Sequence, residues 1–81
     1  MTTFVKDKVR YVTVVNVKLK KILEEQNISR FKLSTDTKTK MDTINRMYYN
    51  NIYKIDLDVL ARICVYLHCD ISDLLELENK R

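Results

Sequence analysis

No residue of this chain is glycine or proline, and that absence restricts how its segments can be joined. A helix that ends in the left-handed region must place a residue with a side chain there, at a steric cost glycine avoids. A glycine-rich loop cradling phosphate is excluded outright. With 81 residues, the chain has room for one small domain and one modest core, with little space for a catalytic cleft and a cofactor fold as well. Its hydrophobic share of 46% is too high for a disordered chain.

Residues 4–15, FVKDKVRYVTVV, are rich in Val, Thr and aromatics. Val9, Tyr11, Thr13 and Val15 alternate with Arg10, Val12 and Val14, which predicts a strand. A lone strand needs a partner, and no second strand-like run stands out. Two solutions remain open: pairing with the same strand of a second copy about a two-fold axis, or an extended arm lying on the helices.

From Asn16 the period becomes helical. Asn16 is a good N-cap, and Leu19, Ile22 and Leu23 mark one face of a first helix, Val17 to Gln26. Asn27 suits a left-handed helix end, and Ser29 caps a second helix from Arg30 to about Asp36, with Phe31 and Leu33 as its apolar contacts. The polar stretch Thr37-Lys38-Thr39-Lys40 reads as a turn before a third helix, Met41 to Tyr49. Asn50-Asn51 is a turn pair. Asp56 caps a fourth helix whose Leu57, Leu60, Ala61, Cys64 and Leu67 follow the i, i+3, i+4, i+7 rule. Ser72 caps a last short helix through Leu77, in which Leu74 and Leu75 close the core, and residues 78–81 should fray. The expected architecture is a compact all-α bundle of four or five helices over residues 16–77, preceded by a β-prone arm, residues 1–15.

Several function classes fall away. No run approaches the roughly 18 apolar residues a membrane span requires, and the start MTTFVKDKVR interleaves charge where a signal peptide needs an apolar stretch. A cytoplasmic protein is expected. Cys64 and Cys69 form neither a disulfide framework nor a Cys-x-x-Cys pair, and the run Cys-x3-His-Cys matches no common zinc pattern, so no metal or cofactor is expected. Cys64 lies on the apolar stripe as a buried thiol, and His68 suits the left-handed end of the fourth helix. With one histidine and no phosphate loop, no set of nucleophile, base and orienter can be named, so neither an enzyme nor a small-molecule substrate is expected.

Charge is unevenly distributed. Residues 1–54 carry 12 Lys/Arg against 5 Asp/Glu, whereas residues 55–81 carry 3 against 6. A basic block ahead of an acidic tail suggests a half that faces a polyanion. On a wheel of about 100° per residue, the third helix places Thr43, Ile44 and Met47 on one side. Met41, Asp42, Asn45, Arg46 and Tyr49 spread over the other. Arg can bridge guanine O6 and N7, Asn can bridge adenine N6 and N7, and Met can touch a thymine methyl. Asp42 accepts only from a cytosine amino group and repels phosphate, which makes it a filter.

The segments NISRFKLSTDT, TINRMYYNN and KIDLDVLARICVYLHCDISDLLEL together resemble the lambda-repressor-like, Cro/cI-type helix-turn-helix regulators, above all small Gram-positive and phage members. The resemblance spans about residues 15–77. It implies core positions at Leu33, Ile44 and Met47, and a small-residue slot at Ser34 where the second and third helices pass closely. It implies base-reading slots at Met41, Asp42, Asn45 and Arg46. Ser29 and Arg30 fall where the family grips phosphate, and Lys38, Lys40, Asn50, Tyr53 and Lys54 flank the reading helix as further backbone contacts. Two positions depart from the pattern: Lys38 stands where glycine is usual, and Thr39 where an aliphatic residue is usual. They predict a reshaped or looser turn.

The function implied is a sequence-specific double-stranded DNA-binding regulator, acting as a repressor and as a homodimer. The rival from another class is the same fold turned into a protein-binding module, such as a phage antirepressor or a nuclease inhibitor.

Overall fold

The computed structural model describes residues 12–80; residues 4–11 of the expected strand, with Lys6, Lys8 and Arg10, lie outside the described residues. Along the chain run β1 (Val12–Val17), α1 (Leu19–Gln26), α2 (Arg30–Thr37), α3 (Met41–Tyr48), α4 (Leu57–Leu67), α5 (Ile71–Leu74) and β2 (Leu75–Lys80). The helical body expected from the apolar periods is present, with β1 leading into it.

The turns are built without glycine as the composition requires. Asn27, Lys38, Asn50 and His68 all take positive φ, between 54° and 57°. Asn27 and His68 close α1 and α4, and each left-handed cap sends its N–H back to the last turn. Asn tolerates this region because its short polar side chain bonds locally; lysine has no such compensation.

The helices bury one continuous core. Leu19, Leu33, Ile44, Met47, Ile63, Leu67 and Leu74 are completely inaccessible, and Leu23 nearly so. On α4 the inward stripe is Leu60, Ile63, Cys64 and Leu67. Leu57 and Ala61, expected inside, are exposed. Leu57 follows the Asp56 cap directly, whereas Val59 and Leu60 of the same turn reach the core.

Three further expectations are corrected at the chain ends. The strand does not stop at Val15, and Asn16 is not a helix cap; β1 runs to Val17, and Lys18 precedes α1. The last helix is shorter than expected. It starts after Asp70 rather than Ser72, with the Asp73 carboxylate accepting the Asp70 N–H at 2.9 Å, and it ends at Leu74. The following residues, including part of the segment expected to fray, form β2, antiparallel to β1, with Val17 opposite Leu75, Val15 opposite Leu77 and Val14 opposite Glu78. The partner that β1 needed is therefore present in its own chain. Lys18 N–H donates to the Leu74 carbonyl at 2.7 Å and joins the two ends where they meet the core.

The side chains on one face of this sheet continue the core. Val17 and Leu75 pack against it, whereas Val15 and Leu77, one pair further out, are 54% and 71% exposed.

Candidate nucleic-acid interface

The pair α2–α3 is set by the turn between them. Lys38, at φ 54° and ψ 43°, closes α2, and Thr39 N–H donates to the Ser34 carbonyl at 3.0 Å. The Ser34 hydroxyl donates to the Thr39 carbonyl at 2.6 Å. Ser34 therefore tethers the turn as well as filling the small-residue slot. Thr39 is only 6% exposed, and its hydroxyl lies 3.0 Å from that of Thr37. Thr37 in turn donates to the Leu33 carbonyl at 2.6 Å. From α4, Arg62 Nε donates to the Thr37 carbonyl at 2.9 Å. The looser turn expected from Lys38 and Thr39 is thus not found: hydroxyl pairing replaces the missing aliphatic contact.

The turn presents α3 with Ile44 and Met47 fully buried and with Met41, Asp42 and Arg46 exposed beside a half-buried Asn45. The four sequence-predicted reading residues therefore share the outward side of one helix. Three of them are held by hydrogen bonds. Arg46 Nε donates to Asp42 Oδ2 at 3.0 Å, one turn away. Arg30, at the start of α2, donates from Nη1 to Asn45 Oδ1 at 2.9 Å and to the Tyr49 hydroxyl at 3.3 Å. Its guanidinium lies 4.3 Å from the centre of the Tyr48 ring, and Tyr48 and Tyr49 meet edge to face at 5.1 Å.

The flanking residues divide into two groups. Ser29 caps α2, accepting the Lys32 N–H at 3.0 Å, and lies exposed with Lys38, Lys40, Tyr53 and Lys54 around α3. Tyr53, 91% exposed, and Lys54 line a shallow depression that they share with Asp42 and Arg46. Asn50 differs: its Oδ1 accepts the Val17 N–H at 2.8 Å, and its Nδ2 donates to Asn16 Oδ1 at 3.0 Å. Asn16 Nδ2 donates to Glu78. The carboxamide expected at the phosphate backbone instead ties the end of α3 to the sheet.

Sequence reasoning missed Phe31. Expected in the core, it is 72% exposed and lines a cavity with Arg30 and Met41. Only Leu33 of that pair turns inward. The local sequence could not separate them, since either can begin an apolar stripe in a two-turn helix.

Three titratable groups outside this face are shifted by their surroundings. Hydrogen bonds from Tyr66 and Lys32 hold the Asp36 carboxyl below its usual range. Burial raises both the Cys64 and the Cys69 thiols, the latter to about 11. Among the described residues no helix is long and apolar enough to cross a membrane.

A sequence model of the Cro/C1-type helix-turn-helix DNA-binding domain matches residues 18–80, nearly the entire described chain. The chain belongs to this family. Of the solved structures, the transcriptional regulator VanUg superposes with a TM-score of 0.69 at 28% identity, covering 84% of this chain and 89% of that one. A candidate DNA-binding protein from Bacteroides fragilis shares the fold, with a TM-score of 0.68 at 22% identity over 78% of this chain and all of its own. No curated protein sequence matches. Within the helix-turn-helix, α2 and α3 are the two helices of the motif, and residues 38–40 are its turn. The chain is a DNA-binding regulator of this type.

Proposed function

We propose that the chain is a sequence-specific repressor that lays α3 in the major groove of duplex DNA, working in the cytoplasm as a homodimer on two half-sites. The observation that carries this reading is the division of α3. Ile44 and Met47 are fully buried, so the opposite side, with Met41, Asp42, Asn45 and Arg46, is the only one left to meet a ligand. In this role Arg46 donates to guanine and Met41 meets a thymine methyl, while the Asp42 carboxylate excludes poorly matched edges.

Ser29, Lys38, Lys40, Tyr53 and Lys54 hold the phosphate backbone, and the exposed N-terminus of α2 adds its free N–H groups. Arg30 keeps Nε and Nη2 for the same backbone. Asn50 leaves this set because its carboxamide serves the fold.

The dimer is supported by the sheet. β1 is paired along one edge only, among the described residues, and Val15 with Leu77 forms an apolar pair beyond the core. A second copy about a two-fold axis would cover both, and a dimer of this kind reads two half-sites about one helical turn, roughly 34 Å, apart. Repression then follows from occupying a promoter.

The test is fluorescence anisotropy of wild type and Arg46→Glu against a duplex pool that includes the gene's own upstream region, at several salt concentrations. Expected is tight binding to one duplex, steeply weakened by salt and lost in the variant. Weak binding of equal strength by both proteins to all duplexes would refute it and would direct attention to a protein target.

A further inference from the structure

Helices α1, α2 and α4 end in the same way, and the end of α4 brings two thiols together. Its left-handed residue is His68, at φ 54° and ψ 46°. His68 N–H donates to the Val65 carbonyl at 3.2 Å and Cys69 N–H to the Cys64 carbonyl at 3.0 Å, the paired bonds of a Schellman end. This closure sets the residue after the left-handed one against the residue five positions earlier. At the end of α1 that pair is Leu23 and Ile28, joined by the Ile28 N–H to Leu23 carbonyl bond at 2.9 Å and packed together in the core. At the end of α2 it is Ser34 and Thr39, in contact through the Ser34 hydroxyl. At the end of α4 it is Cys64 and Cys69.

The two thiols meet directly. The Cys69 thiol donates a hydrogen bond to Cys64 Sγ, and both residues line one shallow depression with His68, Asp70 and Asp73. With standard bond lengths, the 3.0 Å backbone bond between them keeps their Cα atoms within about 7 Å of each other, a span that a disulfide can bridge. Cys64 is only 8% exposed and Cys69 is half-buried, so a reagent from solution meets Cys69 first.

We propose that Cys64 and Cys69 form a dithiol modification site, which low-molecular-weight disulfides of the glutathione class oxidise to an intrachain bond that staples α4 to the start of α5. Reaction begins at Cys69. Its thiol gives a proton to solvent, and the thiolate attacks one sulfur of the reagent. The reagent's S–S bond breaks, a mixed disulfide forms on Cys69, and the first glutathione leaves as a thiolate that takes up a proton. Cys64 then loses its proton and attacks the Cys69 sulfur, which forms the internal bond and releases the second glutathione. Two protein thiols give up two electrons in all, and one reagent disulfide is reduced to two thiols.

The surroundings set the balance of this exchange. Burial, together with the charges of Asp70 and Asp73, disfavours the thiolate at both positions and slows the first step. The same effect withholds from the reduced form the thiolate stabilisation that makes a disulfide easy to reduce. The bond is therefore slow to form and hard to reverse.

The test equilibrates the full-length protein at pH 8 with oxidised and reduced glutathione over a range of ratios, both folded and in urea. Samples are quenched in acid and read by intact mass and peptide mapping. The folded product should lose the mass of two hydrogens, carry no glutathione, and map to a bond between Cys64 and Cys69. A fold that favours the bond is stabilised by the bond by the same factor. Closure should thus be at least about tenfold more favourable in the folded protein than in urea, and the oxidised protein should melt about 6 °C or more above the reduced one. Cys64→Ser should stop at the mixed disulfide on Cys69, whereas in Cys69→Ser the buried Cys64 should stay unmodified; melting curves verify that each variant is folded.

A folded protein that accumulates glutathione adducts without closing the bond, links two chains, or stays reduced at every ratio overturns the proposal. So does an oxidised protein that melts at or below the reduced one, because the turn would then have to distort to bring the sulfurs together. These readings are made on the wild type and hold even where a serine variant fails to fold.

Discussion

Thr37→Val is expected to destabilise the domain, and Thr37→Val with Thr39→Val is expected to restore most of the loss. Each hydroxyl carries one proton. Thr37 lies within reach of two acceptors, the Leu33 carbonyl at 2.6 Å and the Thr39 hydroxyl at 3.0 Å; with its one proton on the shorter contact, the hydroxyl pair is left to be bridged by the proton of Thr39. Removing the Thr37 hydroxyl leaves Thr39, 6% exposed, with only the Thr37 carbonyl at 3.4 Å. That is too long for a good hydroxyl bond. A buried donor so stranded costs about 1–3 kcal/mol. Taking about 1.5 kcal/mol, a domain of this size should lose roughly 6–12 °C in melting temperature. Thr39→Val alone strands nothing, because Thr37 still donates to Leu33; the change should be within about 0.5 kcal/mol. In the double variant no hydroxyl remains to be satisfied, and two valines fill the same volume. The coupling energy should therefore be about 1 kcal/mol in favour of the double variant. Urea denaturation of the four proteins, with melting curves read by circular dichroism, measures it. Additivity within about 0.3 kcal/mol, or a Thr37→Val protein as stable as wild type, would show that the hydroxyl pair does not hold the turn.

Four other outcomes follow from the structure. With the Cys69 thiol raised to about 11 and Cys64 raised by burial, both should alkylate far more slowly at pH 8 than a free thiol, whose value is about 9; a rate equal to that of an unfolded control would contradict the burial argument. The same shift makes folding bind protons more tightly than unfolding does. Stability from Cys69 is therefore full below the unfolded value of about 9 and is lost as pH rises toward about 11, so Cys69→Ala should flatten the fall in urea midpoint over that window. Deleting residues 75–81 removes the partner of β1 together with the half-buried Leu75; the melting point should drop by more than about 10 °C, and a change under about 2 °C would mean that the sheet contributes nothing. Leu77→Lys, on a side chain 71% exposed, should leave the melting point of the dilute protein within about 3 °C while shifting the mass in light scattering to that of a monomer; an unchanged oligomer would move the interface elsewhere.

The helices were legible because their signals are local. The 3.6-residue apolar spacing of Leu19, Ile22 and Leu23, the Ser29 and Asp56 caps, and the left-handed ends at Asn27 and His68 all act within a turn or two of chain. So did the division of α3, since a buried Ile44 and Met47 dictate which residues face outward. The family resemblance rested on these same segments, and the sequence model agrees with it over residues 18–80.

What the sequence by itself determined was the order and type of the helices and the composition of the outward face of α3. Tertiary structure alone decided three things. Residues 75–80 become a strand because β1 lies beside them; LELENK has no strand signal of its own strong enough to outweigh the expectation of a helix and a frayed end. Asn50 is bonded to β1 because the sheet brings Asn16 and Val17 within hydrogen-bond reach across more than thirty residues of sequence. Arg30 orients Asn45 because the turn at Lys38 folds the start of α2 against the middle of α3. Each depends on contacts between residues far apart in the chain, and a local pattern carries no information about such neighbours: backbone pairing and side-chain hydrogen bonds are fixed by the distance between groups, which exists only once the core has closed.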